Sequence, residues 1–203
     1  MSRPGKIVCV GRNYLEHAKE LGNEVPKEPL LFLKPPSSVI GANEAIVLPP
    51  QSKQVEYEGE IGIRIAKKIF HASEAEARAA IGGVVAVNDV TARDLQKTDG
   101  QWTRAKGFDT FCPVGTDAPA PRDLDTLTVI TRVNGAERQR GVAGDMAFHI
   151  PMLLAYITTI MTLEPGDLVA TGTPAGVGKL APGDVVEIEI LGLSSIRNTV
   201  IAG

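Results

Sequence analysis

The stretch Val55–Ile65, Val-Glu-Tyr-Glu-Gly-Glu-Ile-Gly-Ile-Arg-Ile, constrains this chain more than any other. Glu56, Glu58 and Glu60 share one parity, and Ile61, Ile63 and Ile65 share the other. Period-2 alternation with β-branched residues reads as a strand. Side chains two residues apart in a strand point the same way, roughly 6.6 Å apart along the chain. Glu58 and Glu60 are therefore expected to project together. Two carboxylates about 5 Å apart repel by roughly 3 kcal/mol at an effective dielectric near 20. Either the face is open and water offsets that cost, or a cation does.

A third carboxylate bears on the choice. Asp89 sits near the end of the run Val84–Val90, which otherwise reads as core, where a charge is out of place unless it is partnered. Three carboxylates in one pocket would repel by about 10 kcal/mol, which rivals the stability of a domain. Such a set needs a cation or shared protons, and all-oxygen ligation suits Mg²⁺, Mn²⁺ or Ca²⁺ better than zinc. The competing arrangement has Glu58 and Glu60 facing solvent and Asp89 capping the next turn.

Two further groups carry possible chemistry. His17 and Glu20, spaced i,i+3, meet on one face of a helix, and an imidazole oriented by a carboxylate is a general-base pair. The same spacing also arises on an ordinary solvated helix, because Glu16 and Lys19 flank it. Lys106, in the irregular stretch Asp99–Gly115 with Trp102 and Phe108, could hold a substrate carboxylate or a developing oxyanion. The loop Thr171–Lys179 is glycine-rich but fails the phosphate-loop pattern, since Leu180 follows Lys179 and no helix begins there. Its backbone amides remain able to cradle an oxygen. His71 and His149 read as structural, in a turn and at a helix start.

The remaining chain reads as a β-rich domain with a few short helices. Asn13 and Glu16 suggest a capping box opening a helix over Tyr14–Leu21, followed by a loop over Asn23–Pro29. Ser73 and Glu76 repeat that pattern before an alanine-rich helix. Val39–Leu48 reads as a hairpin around Gly41-Ala42-Asn43. Leu127–Val133 and Glu137–Gly141 read as another, around Asn134-Gly135. Ile150, Leu153, Leu154, Ile157 and Met161 form a helical stripe with Pro151 in the first turn. No composition break divides residues 1–203, so a single domain is expected.

Bulk properties exclude several classes. The net charge of −3, with no basic cluster and only 4% aromatics, argues against a nucleic-acid surface. The longest uncharged run, His149–Leu163, is shorter than the roughly 18 residues of a membrane span. No signal peptide is read in the opening residues, so a soluble cytoplasmic protein is expected. Cys9 and Cys112 read as buried free thiols.

Five motifs in order resemble the fumarylacetoacetate hydrolase family over nearly the whole chain. They are Val-Gly-Arg-Asn-Tyr at 10–14, Glu-Tyr-Glu-Gly-Glu-Ile-Gly at 56–62 and Asn-Asp-Val-Thr-Ala-Arg-Asp-Leu-Gln at 88–96. Ala-Lys-Gly-Phe-Asp-Thr-Phe-Cys-Pro-Val-Gly at 105–115 and Leu-Glu-Pro-Gly-Asp-Leu-Val-Ala-Thr-Gly-Thr-Pro-Ala-Gly-Val-Gly at 163–178 complete the set. The resemblance implies a mixed β-sandwich roll, a homodimer, and Mg²⁺ or Mn²⁺ held by Glu58, Glu60 and Asp89. By position, it gives His17 and Glu20 to a lid helix and Lys106 and the backbone near Thr173 to substrate oxygens. Arg12, Arg93 and Gln96 would line or organise the pocket. Gly107 departs from relatives with Ser after the lysine.

The short branch with acylpyruvases and oxaloacetate decarboxylases is most similar. The implied activity is C–C cleavage in a 2-oxo acid bearing a second carbonyl, through an enolate stabilised by the metal. The alternative is an isomerase or decarboxylase of an unsaturated 2-oxo dioate, of the 2-hydroxyhepta-2,4-diene-1,7-dioate isomerase type.

Overall fold

The computed structural model describes residues 3–20, 22 and 26–203. In chain order its elements begin β1 (Ile7–Gly11), α1 (Leu15–Glu20), β2 (Leu30–Lys34), β3 (Val39–Ile40) and β4 (Ile46–Leu48). Then come β5 (Val55–Tyr57), β6 (Gly59–Ile65), α2 (Glu74–Ala79), β7 (Ile81–Asn88), β8 (Thr91–Ala92), α3 (Arg93–Thr98) and α4 (Thr103–Lys106). The second half holds β9 (Cys112–Pro113), β10 (Thr128–Val133), β11 (Ala136–Val142), α5 (Ile150–Ile160) and β12 (Leu168–Ala170). It ends with β13 (Gly178–Lys179), β14 (Val185–Ile190) and β15 (Ser194–Ala202). The architecture is β-rich with short helices, as the sequence predicts.

Two five-stranded sheets, ordered β2-β1-β12-β6-β7 and β11-β10-β14-β15-β4, face each other through β6 and β7 on one side and β10, β14 and β15 on the other. Ile61, Ile63, Val84, Ala86, Val129, Ile188, Ile190 and Ile196 fill the space between them. Removing this much apolar surface from water is the main favourable contribution to folding. The Asn134-Gly135 turn joins β10 to β11 with both residues at positive φ, 53° and 80°, as a two-residue hairpin of this hand requires. Ser73 and Glu76 form the full reciprocal capping box of α2. The stripe on α5 is buried at Ile150, Leu153, Leu154 and Ile157. Cys9 and Cys112 are buried and unbridged.

The acidic stretch departs from the single strand expected. It breaks at Glu58 into β5, which joins a small sheet β13-β5-β8, and β6, which joins the large one. Backbone pairing passes to side chains at the crossing. The Glu58 N–H donates to Asn88 Oδ1 (3.0 Å) and the Gly59 N–H to Gln139 Oε1 (3.0 Å). Gly59 also lets the second sheet approach, since a Cβ there would lie 2.0 Å from Thr131 Oγ1. The sequence reading missed this because alternation reports side-chain parity and not the partner strand.

Val39–Leu48 is not a hairpin. β3 pairs in parallel with β9, and β4 pairs in parallel with β15, so each partner lies far along the chain. Asn13, expected to cap the first helix, lies two residues before it, and its side chain bonds elsewhere. Its side chain accepts from the Phe148 N–H (2.9 Å) and donates to the carbonyls of Phe148 (3.1 Å) and Thr171 (2.8 Å). Leu21, at the expected end of the first helix, and residues 23–25 of the following loop lie outside the described residues.

Candidate active site

Glu58 at the strand break, Glu60 on β6 and Asp89 just beyond β7 converge beside β1, α3 and α4. Each offers one carboxylate oxygen within 4.8 Å of the others, and all three residues are buried. Exposure falls to 5% at Glu58, 2% at Glu60 and 0% at Asp89, which rules out the solvated arrangement.

Cations partner two of the three. Glu58 accepts from Arg93 Nη2 (2.5 Å) and Lys106 Nζ (2.8 Å). Asp89 accepts from Lys106 Nζ (2.7 Å) and Lys34 Nζ (2.6 Å). Burial by itself would raise the pKa of Glu58, but the charges of Lys106 and Arg93 outweigh it and hold the carboxyl well below its usual range. Burial would lower Lys106, but Asp89 and Glu58 outweigh that and raise it.

Glu60 is the exception. It accepts from the Gly172 N–H (2.8 Å), and it has no ion-pair partner among the described residues. Burial, then the nearby Asp89 and Glu58, push its pKa well above the ordinary value. Glu56 completes the acidic group. It accepts from Arg93 Nε (2.8 Å) and Gln54 Nε2 (2.6 Å), so it supports Arg93 rather than facing water. Four carboxylates thus face three cations. The donors are all oxygens, and the uncompensated negative charge sits where they converge. This set fits a hard divalent cation, with Glu58, Glu60 and Asp89 able to hold it.

The opposite wall comes from α1. His17 is 4% exposed, and its Nδ1 lies 3.1 Å from Glu20 Oε2. A carboxylate on Nδ1 favours a proton there and leaves Nε2 as the basic nitrogen. Glu20 also accepts from the Gly176 N–H at 3.0 and 3.2 Å. The loop after β12 therefore does cradle oxygens through its amides, and both belong to protein carboxylates: Glu60 and Glu20. Thr173 helps fix that loop. Its hydroxyl donates to the Gly59 carbonyl (2.9 Å) and accepts from Gln139 Nε2 (2.8 Å).

A cavity of about 280 Å³ lies between the walls, just below the usual range for ligand sites. Arg12, His17, Glu58, Glu60, Asp89, Arg93, Gln96, Lys106 and Thr173 all line it. Glu20 reaches it through His17. The ten residues singled out from the sequence are thus brought together. Lys106 ends a short helix rather than lying in irregular chain, and Gln96 is held by Arg93 Nη1 (2.6 Å). Neither His71 nor His149 lines the cavity.

Sequence reasoning missed Lys34, which is 1% exposed and holds Asp89 from the end of β2. The available signal was a lysine closing an apolar strand before Pro35-Pro36. It also missed the apolar wall, where Phe32 and Trp102 meet edge-to-face at 5.3 Å between centroids. Lys106 Nζ sits 4.9 Å from the Phe32 ring centroid.

The model of the fumarylacetoacetate (FAA) hydrolase C-terminal family matches residues 6–201. The chain belongs to the fumarylacetoacetate hydrolase family. It is 46% identical over 198 residues to the mitochondrial oxaloacetate tautomerase FAHD1 of Arabidopsis thaliana, covering 95% of this chain and 88% of that protein. It is 50% identical over 198 residues to an uncharacterized protein of Methanocaldococcus jannaschii, covering 98% of this chain and 84% of the relative. Among solved structures, a 2-hydroxyhepta-2,4-diene-1,7-dioate isomerase from Mycobacterium marinum superposes with a TM-score of 0.90 at 43% identity, over 98% of this chain and 75% of that one. A 5-carboxymethyl-2-hydroxymuconate delta-isomerase from Mycobacterium smegmatis gives 0.91 at 41% identity, over 99% and 80%. Family members of this kind support an enzyme. No helix among the described residues is long and apolar enough to cross a membrane.

Proposed function

We propose that this chain is a divalent-cation-dependent enzyme that forms and quenches the enolate of a 2-oxo acid bearing a second carbonyl group. Glu58, Glu60 and Asp89 would hold Mg²⁺ or Mn²⁺. One observation carries the reading: across a single small cavity, an under-compensated set of buried carboxylates faces an imidazole oriented by a carboxylate. When bound, the cation supplies Lewis-acid stabilisation of charge on the 2-oxo group.

The protein's own groups handle the proton and the geometry. His17 Nε2 takes a proton from C3 of the keto form, or returns one to C3 of the enol. Glu20 holds the Nδ1 proton and stabilises the imidazolium formed meanwhile. Lys106 offsets negative charge on the substrate oxygens. Gln96 and the backbone at Thr173 position those oxygens. Phe32 and Trp102 keep water from one side of the cavity, which strengthens each charge interaction inside it.

Keto–enol proton transfer on an oxaloacetate-like acid is the reaction best supported, because relatives at 46% identity are named oxaloacetate tautomerases. C–C cleavage is the second reading, and the His17–Glu20 pair favours it. In acylpyruvate hydrolysis His17 would deprotonate water, which attacks the distal carbonyl. The C–C bond then breaks towards the enolate carbon, and reprotonation gives pyruvate and a carboxylic acid. In oxaloacetate decarboxylation CO₂ leaves to give the same enolate. Isomerisation of an unsaturated 2-oxo dioate, the activity named for two structural neighbours, uses the same proton transfers.

The reading includes one catalytic unit over residues 1–203, working as a cytoplasmic homodimer on a small 2-oxo acid, without nucleic acid or membrane. Exposed Leu191, Leu193 and Ile201 offer apolar surface that a second copy would cover, which sedimentation tests. The activity is tested with Mn²⁺-loaded protein against oxaloacetate, acetylpyruvate and 2-hydroxyhepta-2,4-diene-1,7-dioate, following tautomerisation, cleavage and isomerisation separately. Turnover of one or more that chelation abolishes is expected. Acceleration of none overturns the reading.

A further inference from the structure

Two buried ammonium groups serve Asp89, while Glu60 has no ion-pair partner among the described residues. Lys34 Nζ holds Asp89 Oδ1 (2.6 Å) and Lys106 Nζ holds Oδ2 (2.7 Å). Charge pairing alone would place the second ammonium beside the uncompensated Glu60. Burying an ammonium is costly, and the Lys34 side chain is fully enclosed. Lys34 does not line the cavity, so it meets Asp89 from the protein side. It also donates to the Val90 carbonyl (3.1 Å) and lies 5.9 Å from the Phe111 ring centroid. A cation fixed this firmly, on a carboxylate that is already paired, points to orientation rather than neutralisation.

The same pattern recurs at the other two carboxylates. Glu58 gives Oε1 to Arg93 Nη2 (2.5 Å), and Glu60 gives Oε2 to the Gly172 N–H (2.8 Å). One oxygen of each carboxylate is therefore committed to a donor of its own. The oxygens that remain are Glu58 Oε2, Asp89 Oδ2 and Glu60 Oε1. Lys106 Nζ reaches the first two at once, so those two already converge on one point. Such a set offers one oxygen per carboxylate. Ca²⁺ takes about six to eight oxygens and often grips a carboxylate by both, whereas Mg²⁺ needs few protein ligands and keeps several waters.

We infer that Lys34 is a positioning residue: it holds Asp89 Oδ1 away from the cation, restricts Asp89 to a single-oxygen grip, and so makes the site favour Mg²⁺ over Ca²⁺. Without Lys34, Asp89 is free to turn and offer both oxygens, the arrangement that suits Ca²⁺. The inference rests on the cation site proposed above, and adds to it a residue behind the ligands and a selectivity.

The test is calorimetric titration of Mg²⁺ and of Ca²⁺ into the wild type, Lys34→Met and Lys106→Met. Each substitution deletes one positive charge beside Asp89, so each should tighten the binding of both cations. Only Lys34→Met frees Oδ1. Its ratio of Ca²⁺ to Mg²⁺ affinity is expected to rise about tenfold over the wild type, as for other groups that orient metal ligands, while Lys106→Met leaves the ratio unchanged. An unchanged ratio in Lys34→Met, or an equal rise in Lys106→Met, overturns the inference and leaves the cation site standing. A wild type that binds Ca²⁺ more tightly than Mg²⁺ also overturns it. If neither cation binds the wild type, the site itself has failed and the inference falls with it. Should Lys34→Met not fold, Lys34→Gln, with a shorter and uncharged side chain, is judged by the same ratio.

Discussion

The two walls of the cavity are built differently. One is built on sheet, with Glu58, Glu60 and Asp89 on strands or just past them and Arg93 and Lys106 brought in from α3 and α4: all five are nearly solvent-free, and several of them engage two partners. The other is a six-residue helix carrying His17, fastened through Glu20 to a single backbone amide at Gly176. So short a helix has little stability of its own. The contrast assigns the work. On the proposed function, the first wall would hold charge at fixed spacing, as a cation site demands. The helical wall would handle a proton, which tolerates a part that opens and closes.

The largest effect should come from the sheet wall. Glu60→Gln is expected to cut kcat/KM by about 10³-fold or more, since Lewis-acid stabilisation is worth several kcal/mol. The same substitution removes like-charge repulsion, so the metal-free melting temperature should hold or rise while the shift on adding Mn²⁺ disappears. A retained Mn²⁺ shift would remove Glu60 from the ligand set. Asp89→Asn should do the opposite to stability. It strips a charge partner from Lys34 and Lys106 inside the protein and should cost about 3–5 kcal/mol, read by denaturant unfolding.

On the helical wall, His17→Asn is expected to lower kcat by about 10²-fold with stability and Mn²⁺ response intact. A lost Mn²⁺ response would mean that the walls are not separable as described.

The mildest effect is on pH. The raised pKa of Glu60 contributes stability to the metal-free protein that is fully present below the ordinary carboxyl value. That contribution is lost as pH rises through the elevated folded value. Cation binding needs the ionised form, so the apparent Mn²⁺ affinity should strengthen with pH, by up to about tenfold per unit while Glu60 holds its proton. Calorimetric titration of Mn²⁺ across neutral pH measures the slope, and Glu60→Gln should flatten it.

What the sequence disclosed follows the same division between local and distant. The Asn134-Gly135 hairpin, the Ser73–Glu76 capping box and the α5 stripe depend on neighbours a few residues apart, and each forms as expected. The parity of Glu58 and Glu60 is also local, and it survives the break between β5 and β6. Parallel pairings were invisible, because β3 with β9 and β4 with β15 leave no turn signature. Lys34 was missed for a related reason. It meets Asp89 across 55 residues, and nothing within its own strand demands a partner there. The resemblance supplied what local chemistry left open at the His17–Glu20 pair, and the fold places that pair beside the carboxylates.

Glu20 has one further consequence. Its carboxylate both favours one tautomer of the imidazole and accepts from the Gly176 N–H of the loop after β12. Lifting the helix would break the Gly176 bond and leave the Glu20 carboxylate to water. The His17–Glu20 pair lies within the helix and would travel with it, so on the proposed function closure would bring an oriented base to the cation site. On that reading, an acid too long to fit beneath the helix would reach the cation site but not the base, and bulky acids would inhibit rather than turn over. Selectivity would then show in turnover more than in affinity.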